Sequence, residues 1–185
     1  MHAPGYSVNM NRRQFLAGVS SAMLVTHLDK LAWATQSPSY TLLDVQRGSD
    51  RFQIDFSTQE GFRTAAWLLR DIRANRVGIP NIEMLQLAAW AQVVLAEHHA
   101  YTVFEVTSGL RTQQTNSVVE GAARNSRHLP DAGGQFFAMD IKPIGVNIDQ
   151  LAKILQYPAF GGVGIYRSHV HFDIREKVVH WNSKK

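Results

Sequence analysis

From residue 40 onward the chain alternates apolar and polar positions, switches to helical spacing, and then returns to alternation. Residues 40–46 and 51–56 are β-like runs joined by Arg47-Gly48-Ser49-Asp50, which predicts a hairpin. Phe62, Ala65, Ala66, Leu69 and Ile72 then recur at a helical period, predicting a helix over 62–77 that Gly78 and Pro80 stop. Asn81 is placed to cap a second helix over 81–99, with Ile82, Leu85, Ala88, Ala89, Val93 and Leu95 on its apolar side. The β-branched and aromatic stretch 102–107 predicts a core strand. It is followed by a turn, Ser108-Gly109-Leu110-Arg111-Thr112, and a short helix over 115–123. A strand over 136–141 lies between Gly133-Gly134 and Pro143, and a helix is expected over 149–155. Residues 163–166 and 169–174 read as a closing pair of strands around Arg167-Ser168. Two helices followed by strands broken by short helices predict an α+β fold, a small antiparallel sheet with helices packed on one side.

The first 34 residues follow a different pattern. Asn11-Arg12-Arg13-Gln14-Phe15-Leu16 sets paired arginines ahead of a short apolar stretch, 15–28, and Ala32-Trp33-Ala34 supplies a small-x-small cleavage site. That order predicts a twin-arginine export signal over 1–34, and with it the twin-arginine export machinery as a partner and a periplasmic location. The apolar stretch is short and interrupted by His27, Asp29 and Lys30, so no stable membrane span is expected after processing. Composition adds two bounds. Of the net charge of +4, this segment carries about half, and the remaining Lys and Arg form no run or stripe, which argues against a nucleic-acid partner. With no cysteine and eight histidines, any zinc site must be built from imidazole and carboxylate.

Three residues carry that expectation. His128 follows Ser126-Arg127, Asp140 closes Ala138-Met139-Asp140, and His171 is the centre of His169-Val170-His171-Phe172-Asp173. Two His and one carboxylate leave a coordination position for water, the catalytic arrangement rather than the structural one. Strand periodicity puts His169, His171 and Asp173 on one face, with Val170, Phe172 and Ile174 on the other. Three ionisable groups on one sheet face are costly unless wet or coordinated, so this face should line a cleft. His98 and His99, at the expected end of a helix, and His180, near the C-terminal end, are left out of the site.

The chain resembles murein endopeptidase K-like zinc peptidases of the D-Ala-D-Ala metallopeptidase (lysostaphin/D-Ala-D-Ala/hedgehog) superfamily. The resemblance rests on the arginine pair and on Leu69-Arg70-Asp71-Ile72-Arg73-Ala74-Asn75, Ser108-Gly109-Leu110-Arg111 and Thr115-Asn116. Ala138-Met139-Asp140, Gly161-Gly162-Val163-Gly164 and Val170-His171-Phe172-Asp173 complete it. It implies a hedgehog/D-Ala-D-Ala peptidase-like fold, a single catalytic domain over 35–185, and a Zn2+ ion held by His128, Asp140 and His171. It also implies the peptide stems of peptidoglycan as substrate. Two features depart from the pattern. The family's S-x-H-x-x-G-x-A-x-D is lengthened by about five residues between His128 and Asp140. His169 stands where close relatives carry an apolar residue.

The implied reaction is metal-assisted amide hydrolysis, with a base taking a proton from water and returning it to the leaving amine. His169 and Asp173 are both candidates for that base, and Asp173 is equally a partner orienting a ligand imidazole. Arg111 reads either as a clamp on a substrate carboxylate or developing oxyanion, or as a structural ion pair. Ser126 is expected to hydrogen-bond near the ligands, and Gly161, Gly162 and Gly164 to serve a tight turn or a close backbone approach. The expected function is hydrolysis of peptide cross-links in bacterial peptidoglycan. The alternatives are a D-Ala-D-Ala carboxypeptidase or dipeptidase, and a zinc-containing module that binds cell wall without cutting it.

Overall fold

The structure, a computed structural model, describes residues 40–99 and 101–184. The twin-arginine segment, the Ala32-Trp33-Ala34 site and the expected linker over 36–39 lie outside those residues. Among the described residues, nine strands and four helices follow one another: β1 Leu42–Arg47, β2 Asp50–Asp55, α1 Gln59–Leu68, β3 Ile79–Pro80, α2 Ile82–His98, β4 Phe104–Ser108, α3 Gln113–Ser117, β5 Gln135–Phe136, β6 Ala138–Pro143, α4 Ile148–Gln156, β7 Gly162–Ile165, β8 Val170–Asp173 and β9 Val179–Asn182. Seven strands form one sheet in the order β2-β1-β4-β6-β8-β7-β9, and β3 pairs with β5 in a small parallel ribbon. The α+β class is as expected. The sheet is mostly antiparallel, with parallel pairings at β1–β4 and β7–β9. Each parallel pairing has a topological cause. The chain reaches β4 from β1 by a crossover containing α1 and α2, and β9 returns along the outer edge of β7 after the β7–β8 hairpin.

α2 is apolar nearly all round and buried from Met84 to Gln92, so it sits inside the domain rather than on its surface. Asn81 caps it as expected, accepting the backbone N–H of Met84 at 3.1 Å. Gln92 is buried in this helix and fully used. It accepts from Asp44 N at 2.9 Å and donates to the carbonyls of Asp44 and Thr102 at 2.8 and 2.9 Å, tying α2 to the sheet where β1 meets β4. Leu151, Ala152 and Leu155 of α4 join the same core as Met139, Ile141, Val163, Val170 and Phe172 from the sheet. Because side chains alternate across a strand, Asp140, His171 and Asp173 are left on the opposite face.

Three local expectations differ from the structure. The helix expected over 62–77 ends at Leu68, because Arg47 donates to the carbonyls of Leu68 and Arg70, and Asp71 turns the chain. Asp71 accepts from Ala74 N at 3.1 Å and from Thr112 N at 2.7 Å, interactions that a continuing helix would not allow. The strand expected over 136–141 divides at Phe137, whose N–H donates to Arg127 O and whose carbonyl accepts from Ile174 N. The short helix expected over 115–123 is the five-residue α3, capped by Thr112.

Candidate metal centre and active site

The register of the sheet assembles the site. Ser108, Asp140, His171, Gly164 and Trp181 are cross-strand partners in one row through β4, β6, β8, β7 and β9. A bulge between Val106 and Ser108 brings Ser108 into this row. His128 arrives from the loop after α3. The residues inserted between His128 and Asp140 close into a turn of their own. Asp131 Oδ1 accepts from Gly133 N and Gln135 N at 2.8 and 2.9 Å, and β5 then docks on β3. The extra length is thereby absorbed outside the sheet, and His128 still meets Asp140 and His171.

His128 Nε2, Asp140 Oδ1 and His171 Nδ1 converge. The His171–Asp140 distance is 2.8 Å, and His128 Nε2 lies 3.2 Å from each of the other two atoms. All three residues are buried. Each imidazole is oriented from behind. His128 Nδ1–H donates to Gly109 O at 2.6 Å, which turns the Nε2 lone pair toward the cluster. His171 Nε2–H donates to Asp173 Oδ2 at 2.9 Å, leaving Nδ1 facing Asp140. Asp173 is fully buried, and Arg175 grips it through Nε to Oδ1 at 2.5 Å and through Nη2 to Oδ2. Ser126 Oγ accepts from His128 N at 3.3 Å, as expected.

The electrostatics point to a demand for positive charge at this point. Burial keeps His128 below its ordinary value in spite of Asp140. Burial acts in the same sense on His171, but its hydrogen bonds to Asp140 and Asp173 outweigh it and raise the imidazole to about 9. Burial acts to raise Asp140, and the charge and hydrogen bonds of His128 and His171 hold it well below the usual carboxylate range instead. Without a cation, the carboxylate and two inward-facing lone pairs would repel. A proton on His171 relieves that repulsion, and a divalent ion would do the same. Two imidazoles and one carboxylate form a donor set suited to zinc. The residues present therefore fit the ion.

The remaining expected residues stand around this centre. Arg111 donates from Nη2 to Asp140 Oδ2 at 2.6 Å and from Nε to Ser108 Oγ at 3.0 Å, and stays partly exposed. His169 lies just before β8 with 21% of its side chain accessible, its Nε2 4.0 Å from Asp140 Oδ2. Burial holds its pKa below the ordinary value, although Asp140 acts to raise it. Both Asp173 oxygens are engaged by His171 and Arg175. His98, His99 and His180 are exposed and outside the cluster.

Several participants were not found from sequence. Arg175 carries no motif. Tyr166 stacks on His169 with ring centroids 4.5 Å apart, and Trp181 Nε1–H donates to Tyr166 OH at 3.1 Å. Trp181 also lies 5.2 Å, centroid to centroid, from the His171 ring. The β-branched and aromatic run Val178-Val179-His180-Trp181 was the available signal for β9. Of the three expected glycines, Gly164 has the clearest role. A Cβ there would lie 2.3 Å from the Trp181 ring, so the absent side chain is what seats Trp181 in the row.

No curated protein and no solved structure matches this chain. A family model described as Peptidase M15 matches residues 60–174, more than half of the chain and every residue from Arg111 to Asp173 discussed above. Joined to the buried His–Asp–His cluster inside that span, the match establishes that the chain belongs to the Peptidase M15 family of D-Ala-D-Ala metallopeptidases.

Proposed function

We propose that this peptidase is zinc-dependent, is exported by the twin-arginine pathway, and hydrolyses peptide cross-links of bacterial peptidoglycan. The observation that carries the reading is the convergence of His128 Nε2, Asp140 Oδ1 and His171 Nδ1 within 3.2 Å in a buried site whose charge balance calls for a cation. These three atoms would hold Zn2+, which when bound lowers the pKa of water toward about 7 and polarises a scissile carbonyl.

The other side chains divide the remaining work. His169 is accessible, and burial keeps it neutral near pH 7, so it can take the proton of the attacking water and return it to the leaving amine. The Tyr166 ring stacked on it fixes its plane. Asp173 has no oxygen left for this task, and we assign it to orienting His171. Arg111 holds Asp140 in place and brings a fixed positive charge to the edge of the site, where negative charge develops on the carbonyl oxygen.

Digestion of purified sacculi by the zinc-loaded protein, with mass analysis of the products, tests this reading. Loss of cross-linked fragments in favour of their halves is expected. Release of terminal D-Ala alone would replace the reading by a carboxypeptidase or dipeptidase. Sacculus binding with no released product would replace it by a cell-wall-binding module. The export proposal rests on Arg12 and Arg13, and retention of an R12K/R13K chain in the cytoplasm would support it.

A further inference from the structure

A groove lies beside the segment that follows β8. His171, Asp173 and Arg175 alternate along the same extended segment, so Arg175 lies on the face of the ligands about 13 Å further along the chain, at about 3.3 Å per residue. There it forms part of the wall of a cavity of about 570 Å³, lined also by Arg127, Lys177, Phe137, Glu83 and Glu176. The groove is joined to the centre through bonded neighbours. Arg127 precedes His128, and its carbonyl accepts from Phe137 N at 2.9 Å. The Phe137 carbonyl in turn accepts from Ile174 N, next to Asp173.

The cations in the groove are not equivalent. Arg175 is committed to Asp173 by two hydrogen bonds. Arg127 and Lys177 are exposed and form no ion pair among the described residues, although Glu83 and Glu176 line the same cavity. Two exposed cationic side chains that form no ion pair among the described residues, both on the wall of this groove, suit an anionic group on a bound chain. A guanidinium offers a carboxylate a two-pronged contact and an ammonium offers it a point charge.

We infer that this groove is an extended subsite that binds a carboxylate side chain of the substrate peptide, three or four residues from the bond cut, through Arg127 and Lys177. The inference rests on the peptidase reading and deepens it by naming a substrate feature away from the reacting bond. Binding energy gathered there can be used to orient the bond at the centre.

The test separates the subsite from the hydrolysis. Acetylated peptides ending in D-Ala-D-Ala, with a single Glu or Gln three or four residues to either side of an amide candidate for cleavage, are titrated calorimetrically into the full chain treated with chelator. At least one Glu peptide should bind about fivefold tighter than its Gln counterpart, and R127Q/K177Q should abolish the preference. Melting temperature checks that the double variant is folded, and both substitutions are on exposed side chains. Equal affinity of every Glu–Gln pair, no peptide binding at all, or a preference that survives in R127Q/K177Q would each overturn the subsite. If the zinc-loaded protein released nothing from purified sacculi while the preference held, the hydrolase reading would fall and the subsite would stand.

Discussion

Asp173 gathers more of the site's behaviour than its place behind His171 suggests. Its carboxylate is wholly buried, accepts from His171 Nε2 at 2.9 Å and is gripped by Arg175. A negative partner behind an imidazole raises the basicity of the nitrogen in front. Asp173→Asn keeps an oxygen for the contact and removes the charge. We expect it to weaken zinc binding by about 10- to 100-fold, with Arg175→Gln in the same direction, read by competition against a chromophoric chelator. Unchanged affinity in both variants would show that the chain Arg175–Asp173–His171 is only packing. The same hydrogen bonds set a pH dependence. In chelator-treated protein the folded His171 pKa, about 9, lies above the ordinary 6.5 of the unfolded chain. Its contribution to stability is therefore fully present below about pH 6.5 and is lost as pH rises toward 9. Urea midpoints of the chelated protein should fall between pH 6.5 and 9, and the fall should be absent in His171→Ala.

At the scale of elements, β9 has the most consequence for its length. It adds Trp181 to the cross-strand row that carries Asp140 and His171, and Trp181 holds Tyr166, which stacks on His169. Gly164 makes room for it. Gly164→Ala would force the indole off the β7 surface, so a loss of about 1–3 kcal/mol in urea denaturation is expected, together with a shift in tryptophan fluorescence. Trp181→Ala in the same background should cancel the extra loss from the alanine. Two additive losses would show that Gly164 acts elsewhere. The elements most open to sequence reading were those whose signals are local. Asn81 before an apolar run marked α2, Arg47-Gly48-Ser49-Asp50 marked the first hairpin, and His169-Val170-His171-Phe172-Asp173 marked which face of β8 bears the chemistry. What escaped depends on partners distant in the chain. The helical period of 62–77 was real, yet Asp71 is drawn to Thr112, 41 residues away, and Arg47 takes the carbonyls at the end of α1. The break at Phe137 follows from Arg127 and Ile174, and neither parallel pairing could be read from any single strand. Within the site, the cluster residues were legible because residue type and spacing constrain them. Arg175 and Tyr166 were not, since an arginine two residues after an aspartate and a tyrosine three before a histidine are ordinary.

For the whole molecule, the His–Asp–His cluster is a tie between a loop and two paired strands of the sheet. His128 comes from a loop, Asp140 from β6 and His171 from β8, 12 and 31 residues apart in succession. An ion bound by all three stabilises only the state in which they meet, so its binding free energy adds to folding. At a free zinc concentration a thousand times the dissociation constant the gain is about 4 kcal/mol. For a domain of this size that corresponds to a rise in melting temperature of roughly 8–16 °C. Surface histidines could also bind zinc, and His98 and His99 stand exposed at the end of α2. The prediction therefore has two arms. Removing His98 and His99 together should leave the zinc-induced rise intact, whereas His128→Ala should remove most of it, because a carboxylate and one imidazole make a poor site for this ion. His128 also stands immediately before the lengthened loop, so its variant asks whether the residue that opens that loop is a working donor. A rise of the same size in His128→Ala would mean that zinc is held elsewhere, and the tie between the loop and the two strands would not exist.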